Sequence, residues 1–273
     1  MSLPHARKSN PVGLRPAAMF IVVAALSLCP ERARAWDFVG HQALVRPRPV
    51  PILMYHEVGD GPNQLYVRTS DFEAQVRWLA EERYTTIPIS GVRAVLAGRG
   101  DAKGRVVALT FDDGYESHYS KVYPLLKEMG MTATFFVITE KIGRPGYLSW
   151  DELGEMVRGG MEVGCHSATH RDLTRTRSSA TIDYEVSSPK AVLERKLGVS
   201  VGYFCYPSGK NSAALRERVK RAGYLGGVTT APGWALVGGD PYLLRRVRVS
   251  RSDTMEAFKR KLEDPWIYGG SVR

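Results

Sequence analysis

Short apolar runs alternate along most of this chain with segments in which apolar residues recur every three or four positions. The apolar runs predict strands, and they are VPILMYHEV, YTTIPI, RVVALTF, TATFFVI, MEVGCHS, VGYFCYP, YLGGVTT and LLRRVRVS. The periodic segments predict helices, and the clearest are SDFEAQVRWLAEERY, SHYSKVYPLLKEMG, SWDELGEMVRGG, residues 178–196 and SAALRERVKRAG. Strands that alternate with helices indicate a parallel sheet covered by helices.

The number of strand–helix units indicates how that sheet is arranged. About seven or eight units fit between residues 50 and 273, which favours an irregular, closed β/α barrel over an open doubly wound sheet; seven strands is the expected number. Neither a Gly-x-Gly-x-x-Gly sequence after a strand nor a Walker loop is present, so the sequence has no nucleotide-binding motif. In such a barrel the chemistry gathers at the carboxyl ends of the strands.

Two of the predicted helices open with a serine followed three residues later by a glutamate. These pairs are Ser70 with Glu73 and Ser149 with Glu152. Both predict a capping box, in which the serine oxygen accepts a backbone N–H and the glutamate reaches back to the N-cap amide.

The first 49 residues do not resemble part of a fold. The basic segment RKSNPVGLR, the apolar run AAMFIVVAALSLC and the small residues of ERARA predict a signal peptide over residues 1–35, cleaved after Ala35. Residues 36–49 lack periodicity and are interpreted as a linker, which leaves 50–273 as the folded domain. No later segment approaches the roughly 20 apolar residues of a membrane span, so we expect an exported protein, periplasmic or secreted, without a span after signal removal.

The charge and the cysteines agree with export. The net charge is +10, and removal of the signal peptide lowers it to about +6. A basic exported protein suits anionic cell-surface material better than nucleic acid, which we do not expect as a partner, although solubility alone would also explain the charge. Cys165 and Cys205 remain in the mature chain, which permits either one disulfide or two buried thiols. The oligomeric state cannot be read from the sequence.

Unusual polar residues follow three of the predicted strands. These residues are His56 after LMY, Asp112 and Asp113 after LTF, and His166 and His170 within HSATH. Alone, Asp-Asp-Gly is typical of a turn, and two histidines at this spacing are typical of a surface. Together, at the strand ends of one barrel, they favour a metal site of two histidines and one aspartate, with open positions for water and substrate.

The order TFDDG, HSATH, YPSG resembles the ordered motifs of the polysaccharide deacetylases, a carbohydrate esterase group that includes chitooligosaccharide and peptidoglycan deacetylases. The similarity extends over about residues 50–250. Within the group, VPILMYHEV and FCYPSG are most similar to exported deacetylases of biofilm poly-β-1,6-N-acetylglucosamine. The resemblance implies an irregular β/α barrel of this type, a polysaccharide substrate and a divalent metal, with Zn²⁺ expected and Co²⁺, Ni²⁺ or Fe²⁺ left open.

The resemblance also implies a role for each matching residue. The implied metal ligands are Asp113, His166 and His170. Asp112 resembles the general base, and His56, in the Tyr-His near the start of the domain, resembles the general acid. A divalent ion acidifies bound water and polarises the acetamide carbonyl, and we expect the Ser208 N–H, after Pro207, to stabilise the oxyanion. The expected products are acetate and a glucosamine unit.

The sequence departs from the family pattern at several positions. Many members carry an arginine two residues before the proline of YPSG, where it orients the catalytic carboxylate, and often a tyrosine after that proline; here these residues are Cys205 and Ser208. Arg246 is the candidate replacement beside Asp112, and a solvated arginine on an edge strand is the alternative. No histidine follows His170, so the late Leu-x-His of many relatives is missing and the acid is left to the N-terminal Tyr-His.

Further aromatic and histidine residues have less specific interpretations. Tyr206, Pro207 and Trp234 are the candidate substrate-binding residues. The rings of Tyr206 and Trp234 are candidates for a sugar-binding wall, and core packing is the alternative for both rings. His118 is expected on the exposed face of a helix, and His41 is expected to be solvated in the linker.

Three functions remain open at this point. The first is an N-deacetylase of an N-acetylglucosamine polymer, with poly-β-1,6-N-acetylglucosamine ahead of chitin oligomers and peptidoglycan. The second is an O-acetyl xylan or glycan esterase on the same fold, and the third is a non-catalytic glycan-binding protein. The complete set of metal and base residues favours an enzyme. The missing arginine two residues before the YPSG proline is the feature that favours a non-catalytic glycan-binding protein.

Overall fold

A computed structural model describes residues 47–99 and 104–263 of the chain. The predicted signal peptide, its cleavage site, His41 and most of the predicted linker lie outside these residues. Within the part described, no helix has both the length and the apolar character needed to cross a bilayer.

The strands, in chain order, are β1 (Ile52–Tyr55), β2 (Glu57–Val58), β3 (Tyr66–Val67), β4 (Thr85–Thr86), β5 (Val106–Phe111), β6 (Thr134–Val137), β7 (Glu162–Cys165), β8 (Tyr203–Cys205), β9 (Gly226–Pro232) and β10 (Leu244–Arg248). The α-helices are α1 (Thr69–Glu81), α2 (Ile89–Leu96), α3 (Tyr123–Glu128), α4 (Trp150–Arg158), α5 (Ser179–Leu197), α6 (Ala213–Arg221) and α7 (Met255–Arg260). A π-helical stretch directly precedes α3.

Seven parallel strands close into a barrel. The neighbour order is β1, β10, β9, β8, β7, β6 and β5, and β5 pairs again with β1. Leu53 of β1 lies opposite Val247 on one side and Leu109 on the other. The two-residue strand β4 extends the sheet outside the ring, with Thr85 opposite Val106 at the start of β5. The predicted seven-stranded β/α barrel is therefore confirmed.

Strand residues alternate between two apolar layers. On β5, Val107, Leu109 and Phe111 belong to a large cluster that includes residues of most helices, whereas Ala108 belongs to a second cluster, which lies on the inner side of the strands and includes the buried face of α2. Other members of the inner cluster are Ile52, Phe136, Cys205 and Val228. Because both faces are buried, the strands read as continuous apolar runs. The same alternation directs Asp112, just past the end of β5, towards the barrel interior.

The two predicted capping boxes have different outcomes. At α4, the Ser149 hydroxyl accepts the Glu152 N–H at 3.3 Å, and the Glu152 carboxylate accepts the Ser149 N–H at 2.7 Å, which confirms the box. The box predicted from Ser70 is wrong, because the N-cap of α1 is Arg68, two residues before Ser70, and it makes no side-chain cap hydrogen bond.

Candidate active site

A cavity of about 220 Å³ opens over the carboxyl ends of the barrel strands. It is lined by His56, Leu65, Asp112, Asp113, His166, His170, Tyr206, Ser208, Thr230 and Arg248. Most of the sequence-predicted site residues therefore meet at one place. Parallel strands bring their carboxyl ends to the same end of a barrel, so residues distant in sequence converge there.

Asp112 is buried and is held by Arg246 of β10. The guanidinium donates from Nη1 to Oδ1 and from Nη2 to Oδ2, each at 2.7 Å. Nη1 also donates to Thr110 Oγ1, and Nε donates to the Thr229 carbonyl. Burial raises the pKa of the Asp112 carboxyl, but the charge and hydrogen bonds of Arg246 outweigh burial and hold this pKa well below its usual range. The alternative of a solvated Arg246 is wrong, because its side chain is 0% exposed.

Cys205 lies beside this ion pair. Its sulfur accepts a hydrogen bond from Arg246 Nη2 at 3.3 Å and lies 3.6 Å from Asp112 Oδ2. Cys205 and Cys165 are both buried free thiols, so the second of the two alternatives for these cysteines holds. Burial raises the pKa of both thiols, that of Cys165 to about 11, and each thiol therefore keeps its proton at neutral pH.

Asp113, His166 and His170 form a compact group of metal-ligand type. Asp113 Oδ1 lies 3.4 Å from His166 Nε2 and 3.7 Å from His170 Nε2. His166 Nδ1 lies 2.8 Å from the Cys205 carbonyl oxygen. Because a carbonyl can only accept, we assign one ring proton to Nδ1, so Nε2 is the ring atom that faces Asp113 and would bind a cation.

A second group, Asp112 with His166 and Cys205, also has ligand atoms within 4.8 Å of one another. It is less suited to a cation for two reasons. Both Asp112 oxygens already accept hydrogen bonds from Arg246, and the Cys205 thiol is protonated, whereas metals bind the thiolate. The donor set therefore favours the group of Asp113, His166 and His170.

The backbone of the site adopts left-handed conformations that non-glycine residues rarely take. The φ angles are +78° at Asp113, +64° at Ser167, +66° at His170 and +53° at Ser208; among the described non-glycine residues, Arg83 alone lies outside the site with a positive φ. Each such residue costs about 1–3 kcal/mol. The two adjacent acids face different groups, because Asp112 pairs with Arg246 whereas Asp113 lies beside His166 and His170.

His56 follows β1 and is partly buried at the cavity wall. Burial lowers the pKa of its imidazole, and the charges of Asp112 and Asp113 oppose this effect. The His56 carbonyl oxygen lies 2.6 Å from His118 Nε2, so a second histidine holds the backbone of the first.

The prediction that His118 lies on an exposed helix face is wrong. Its side chain is 0% exposed, and the rings of Phe111, Tyr115 and Phe135 lie with centroids 5.4, 5.9 and 5.6 Å from it. Burial lowers the pKa of His118 to about 4, so the ring is neutral and Nε2 donates to His56. His118 precedes Val122, Leu125 and Leu126 by four, seven and eight residues, so helical spacing places it on the same buried face as these apolar residues.

Trp234 does not join the site, and its predicted role in a sugar-binding wall is wrong. After β9 the chain reverses, and Ala235 pairs antiparallel with Val50, just before β1. This reversal carries Trp234 to the opposite end of the barrel, into a cleft that includes Val106 at the start of β5. There its indole N–H donates to the Lys261 carbonyl at 3.0 Å.

Tyr206 lines the cavity, but its ring is 0% exposed and packs edge-to-face on Phe204 at 5.4 Å. A ring without an exposed face cannot stack on a sugar, so the core-packing alternative holds for Tyr206. Pro207 is also buried and is absent from the cavity lining; the prediction that it contacts substrate is wrong, and it instead turns the chain so that the exposed Ser208 reaches the cavity.

Sequence reasoning missed Leu65, Thr230 and Arg248, which also line the cavity. Arg248 could have been predicted from the sequence, because it follows Arg246 by two residues on one strand and strand alternation places both side chains on the same face. No sequence pattern indicates that Leu65 or Thr230 would line the cavity. Thr230 lies in a part of β9 whose register shifts against β10, and Leu65 lies in the connection between two short strands.

The chain is similar to known proteins in sequence and in structure. A family model described as polysaccharide deacetylase matches residues 99–227. A Bacillus subtilis (strain 168) protein assigned to the polysaccharide deacetylases, YxkH, is 32% identical over 218 residues, which cover 80% of this chain and 77% of that protein. The poly-β-1,6-N-acetyl-D-glucosamine N-deacetylase of Staphylococcus aureus (strain MRSA252) is 25% identical over 207 residues, 71% of each chain. The Streptococcus pyogenes deacetylase PplD, solved in complex with acetate, has a TM-score of 0.75 and 29% identity, and the match covers 80% of this chain and 100% of that chain.

Proposed function

Because the chain belongs to the polysaccharide deacetylase family, whose members hydrolyse carbon–nitrogen bonds other than peptide bonds, we propose that it removes N-acetyl groups from an N-acetylglucosamine polymer outside the cytoplasm. We propose poly-β-1,6-N-acetylglucosamine as the polymer, with support from the substrate named for the Staphylococcus aureus relative. The signal-like pattern of residues 1–35 supports the location. The observation that carries the proposal is an ionised Asp112 beside the Asp113, His166 and His170 group in one cavity.

The donor set of this group fits a divalent cation. One carboxylate and two imidazoles converge, and the hydrogen bond from His166 Nδ1 to a carbonyl leaves Nε2 free to bind. We propose that Asp113, His166 and His170 hold Zn²⁺, although the same donors also accept Co²⁺, Ni²⁺ or Fe²⁺. When bound, such an ion acidifies water and polarises a carbonyl oxygen.

Asp112 is proposed as the general base that takes a proton from the attacking water. Arg246 keeps this carboxylate ionised and fixes both of its oxygens. The low pKa of Asp112 makes it a weak base, and a cation held by Asp113, His166 and His170 would compensate by making the water more acidic.

His56 and Ser208 are proposed to complete the reaction. Protonated His56 would donate to the departing nitrogen. The lowered pKa of its ring makes the protonated form a stronger acid and a smaller fraction of the molecules at neutral pH. The Ser208 N–H would donate to the acetamide oxygen as negative charge develops there. Water supplies a hydroxyl to the acyl carbon and a proton to nitrogen, and the products are acetate and a free amine on the sugar.

The proposal is tested by measuring acetate release from oligomers of poly-β-1,6-N-acetylglucosamine, chitin oligomers and peptidoglycan. We expect release from the first substrate, loss of release with a chelator and recovery with Zn²⁺. We expect Asp112→Asn to lower kcat by about 10²- to 10⁴-fold, whereas Asp183→Asn, at an exposed carboxylate on α5, should leave kcat unchanged. Chelator-insensitive release or a fully active Asp112→Asn variant contradicts the mechanism, and release from acetylated xylan alone favours the esterase alternative.

A further inference from the structure

We propose that Glu185 is a positioning residue that holds the loop between His166 and His170 in the conformation that binds the metal. Glu185 lies on α5, outside the cavity, and its side chain is 1% exposed. The inference rests on the metal centre of the proposed function, and it assigns a role to a buried acid that the reaction itself does not use.

The contacts of Glu185 are concentrated on the loop that joins the two histidines. Oε2 accepts the backbone N–H groups of Ala168 at 3.1 Å and Thr169 at 2.9 Å. Oε1 accepts the Thr169 hydroxyl at 2.5 Å. Two consecutive amides and one hydroxyl of a three-residue connection therefore depend on a single carboxylate.

The other side of the loop is held by backbone groups that follow β6. The carbonyls of Ser167 and Ala168 accept the N–H groups of Thr139 and Glu140, at 3.2 and 3.0 Å. Within the loop, the Ser167 hydroxyl accepts the His170 N–H at 2.9 Å. Glu185 thus supplies the acceptors on the face that the backbone of the barrel does not reach.

The loop needs such support because its backbone is strained. Ser167 and His170 both have positive φ angles, a conformation that persists only where the surroundings over-determine it. If the hydrogen bonds from the loop to Glu185 were lost, the loop would relax. The imidazole of His170 would then move away from Asp113, whose Oδ1 lies 3.7 Å from Nε2. Metal affinity should therefore fall even though no ligand has been changed.

Charge is essential to this role. A carboxylate offers acceptors only, whereas a glutamine of almost the same size offers one oxygen and turns an N–H group towards the loop donors. Arg171 Nε lies 3.8 Å from Oε1 and belongs to a side chain that is 55% exposed, so it compensates only part of the buried charge. The three loop donors, two backbone N–H groups and the Thr169 hydroxyl, stabilise the rest of the buried negative charge.

The test measures metal affinity without any substrate. Zn²⁺ dissociation constants of the metal-stripped protein are determined by competition with a chromophoric chelator, and the visible spectrum of the Co²⁺ form reports ligand geometry. We expect Glu185→Gln to raise the Zn²⁺ dissociation constant by about 10- to 100-fold and to alter the Co²⁺ spectrum. Asp183→Asn is the matched control, because that carboxylate lies on the same helix but faces solvent and pairs with Arg218 at 3.2 Å.

A second variant, Thr169→Val, removes one loop donor at nearly constant volume. It should weaken Zn²⁺ binding by less than Glu185→Gln does, and it carries the test if Glu185→Gln fails to fold. Unchanged Zn²⁺ affinity in these variants, with only a lower urea midpoint for the metal-free protein, would overturn the inference and leave a structural role. A wild-type protein that binds neither metal would instead overturn the proposed function and this inference with it.

Discussion

Asp112 and Arg246 show how one pair of residues links the chemistry of the site to the stability of the barrel. Both side chains are buried and joined by two hydrogen bonds of 2.7 Å. A buried ion pair contributes little relative to an apolar pair, but an unpaired buried charge is costly. Arg246 therefore orients the proposed base, Asp112, and also compensates its buried charge, which would otherwise destabilise the fold.

This arrangement predicts a non-additive pair of substitutions. Arg246→Met should lower the free energy of unfolding by about 3–5 kcal/mol, because it leaves Asp112 buried without its partner. Adding Asp112→Asn should restore part of this loss, since the uncompensated charge is removed. Urea denaturation of the four metal-free proteins measures the effect, and purely additive changes would show that the two groups are not coupled.

Single residues differed in how well the sequence predicted them. His166, His170 and Asp113 could be predicted to meet, because their spacing and strand-end positions are visible in the chain. Arg246 could be named only as a candidate, since nothing in the sequence fixes which late arginine faces the interior. Trp234 was assigned to the wrong end of the barrel, because the reversal after β9 leaves no distinct sequence pattern.

At the scale of elements, helix starts depend on which residue takes the cap. Ser149 and Ser70 stand in the same Ser-x-x-Glu pattern, but only Ser149 occupies the N-cap of its helix. The pattern is thus compatible with two registers, since the serine is the N-cap at α4 and the second helical residue at α1. The longer strands were easier to predict, because burial on both faces made them continuous apolar runs.

The two serines provide a matched comparison. Ser149→Ala should lower the free energy of unfolding by about 1 kcal/mol, because the Glu152 N–H loses its acceptor. Ser70→Ala should change it by less than about 0.5 kcal/mol, since Ser70 is exposed in the first turn and caps nothing. Thermal and urea denaturation of both variants checks this difference, and equal losses would show that the serine at the α4 N-cap is not a stabilising cap.

At the scale of the whole molecule, a buried neutral histidine makes stability depend on pH. The pKa of His118 is lowered from 6.5 to about 4 by burial, so the unfolded chain binds a proton more readily than the folded protein between these values. Stability from this group is complete above about pH 6.5 and is lost as the pH falls towards 4. The full loss corresponds to about 3 kcal/mol.

His118→Gln should flatten this dependence, because glutamine keeps an N–H donor for the His56 carbonyl but does not titrate. Urea midpoints of the metal-free proteins, measured at intervals between about pH 4 and 7, give the comparison. If both proteins lose stability equally over this range, another group is responsible for the acid sensitivity.

Closure of the barrel sets the order in which a functional molecule can be made. β1 lies near the start of the described domain and β10 near its end, and their pairing completes the ring. The same late strand delivers Arg246 to Asp112. Until synthesis reaches β10, the sheet keeps two open edges and Asp112 lacks the guanidinium of Arg246. A chain shortened before β10 should therefore be inactive rather than partly active. The proposed activity is therefore a property that the growing chain acquires abruptly, once β10 joins the barrel.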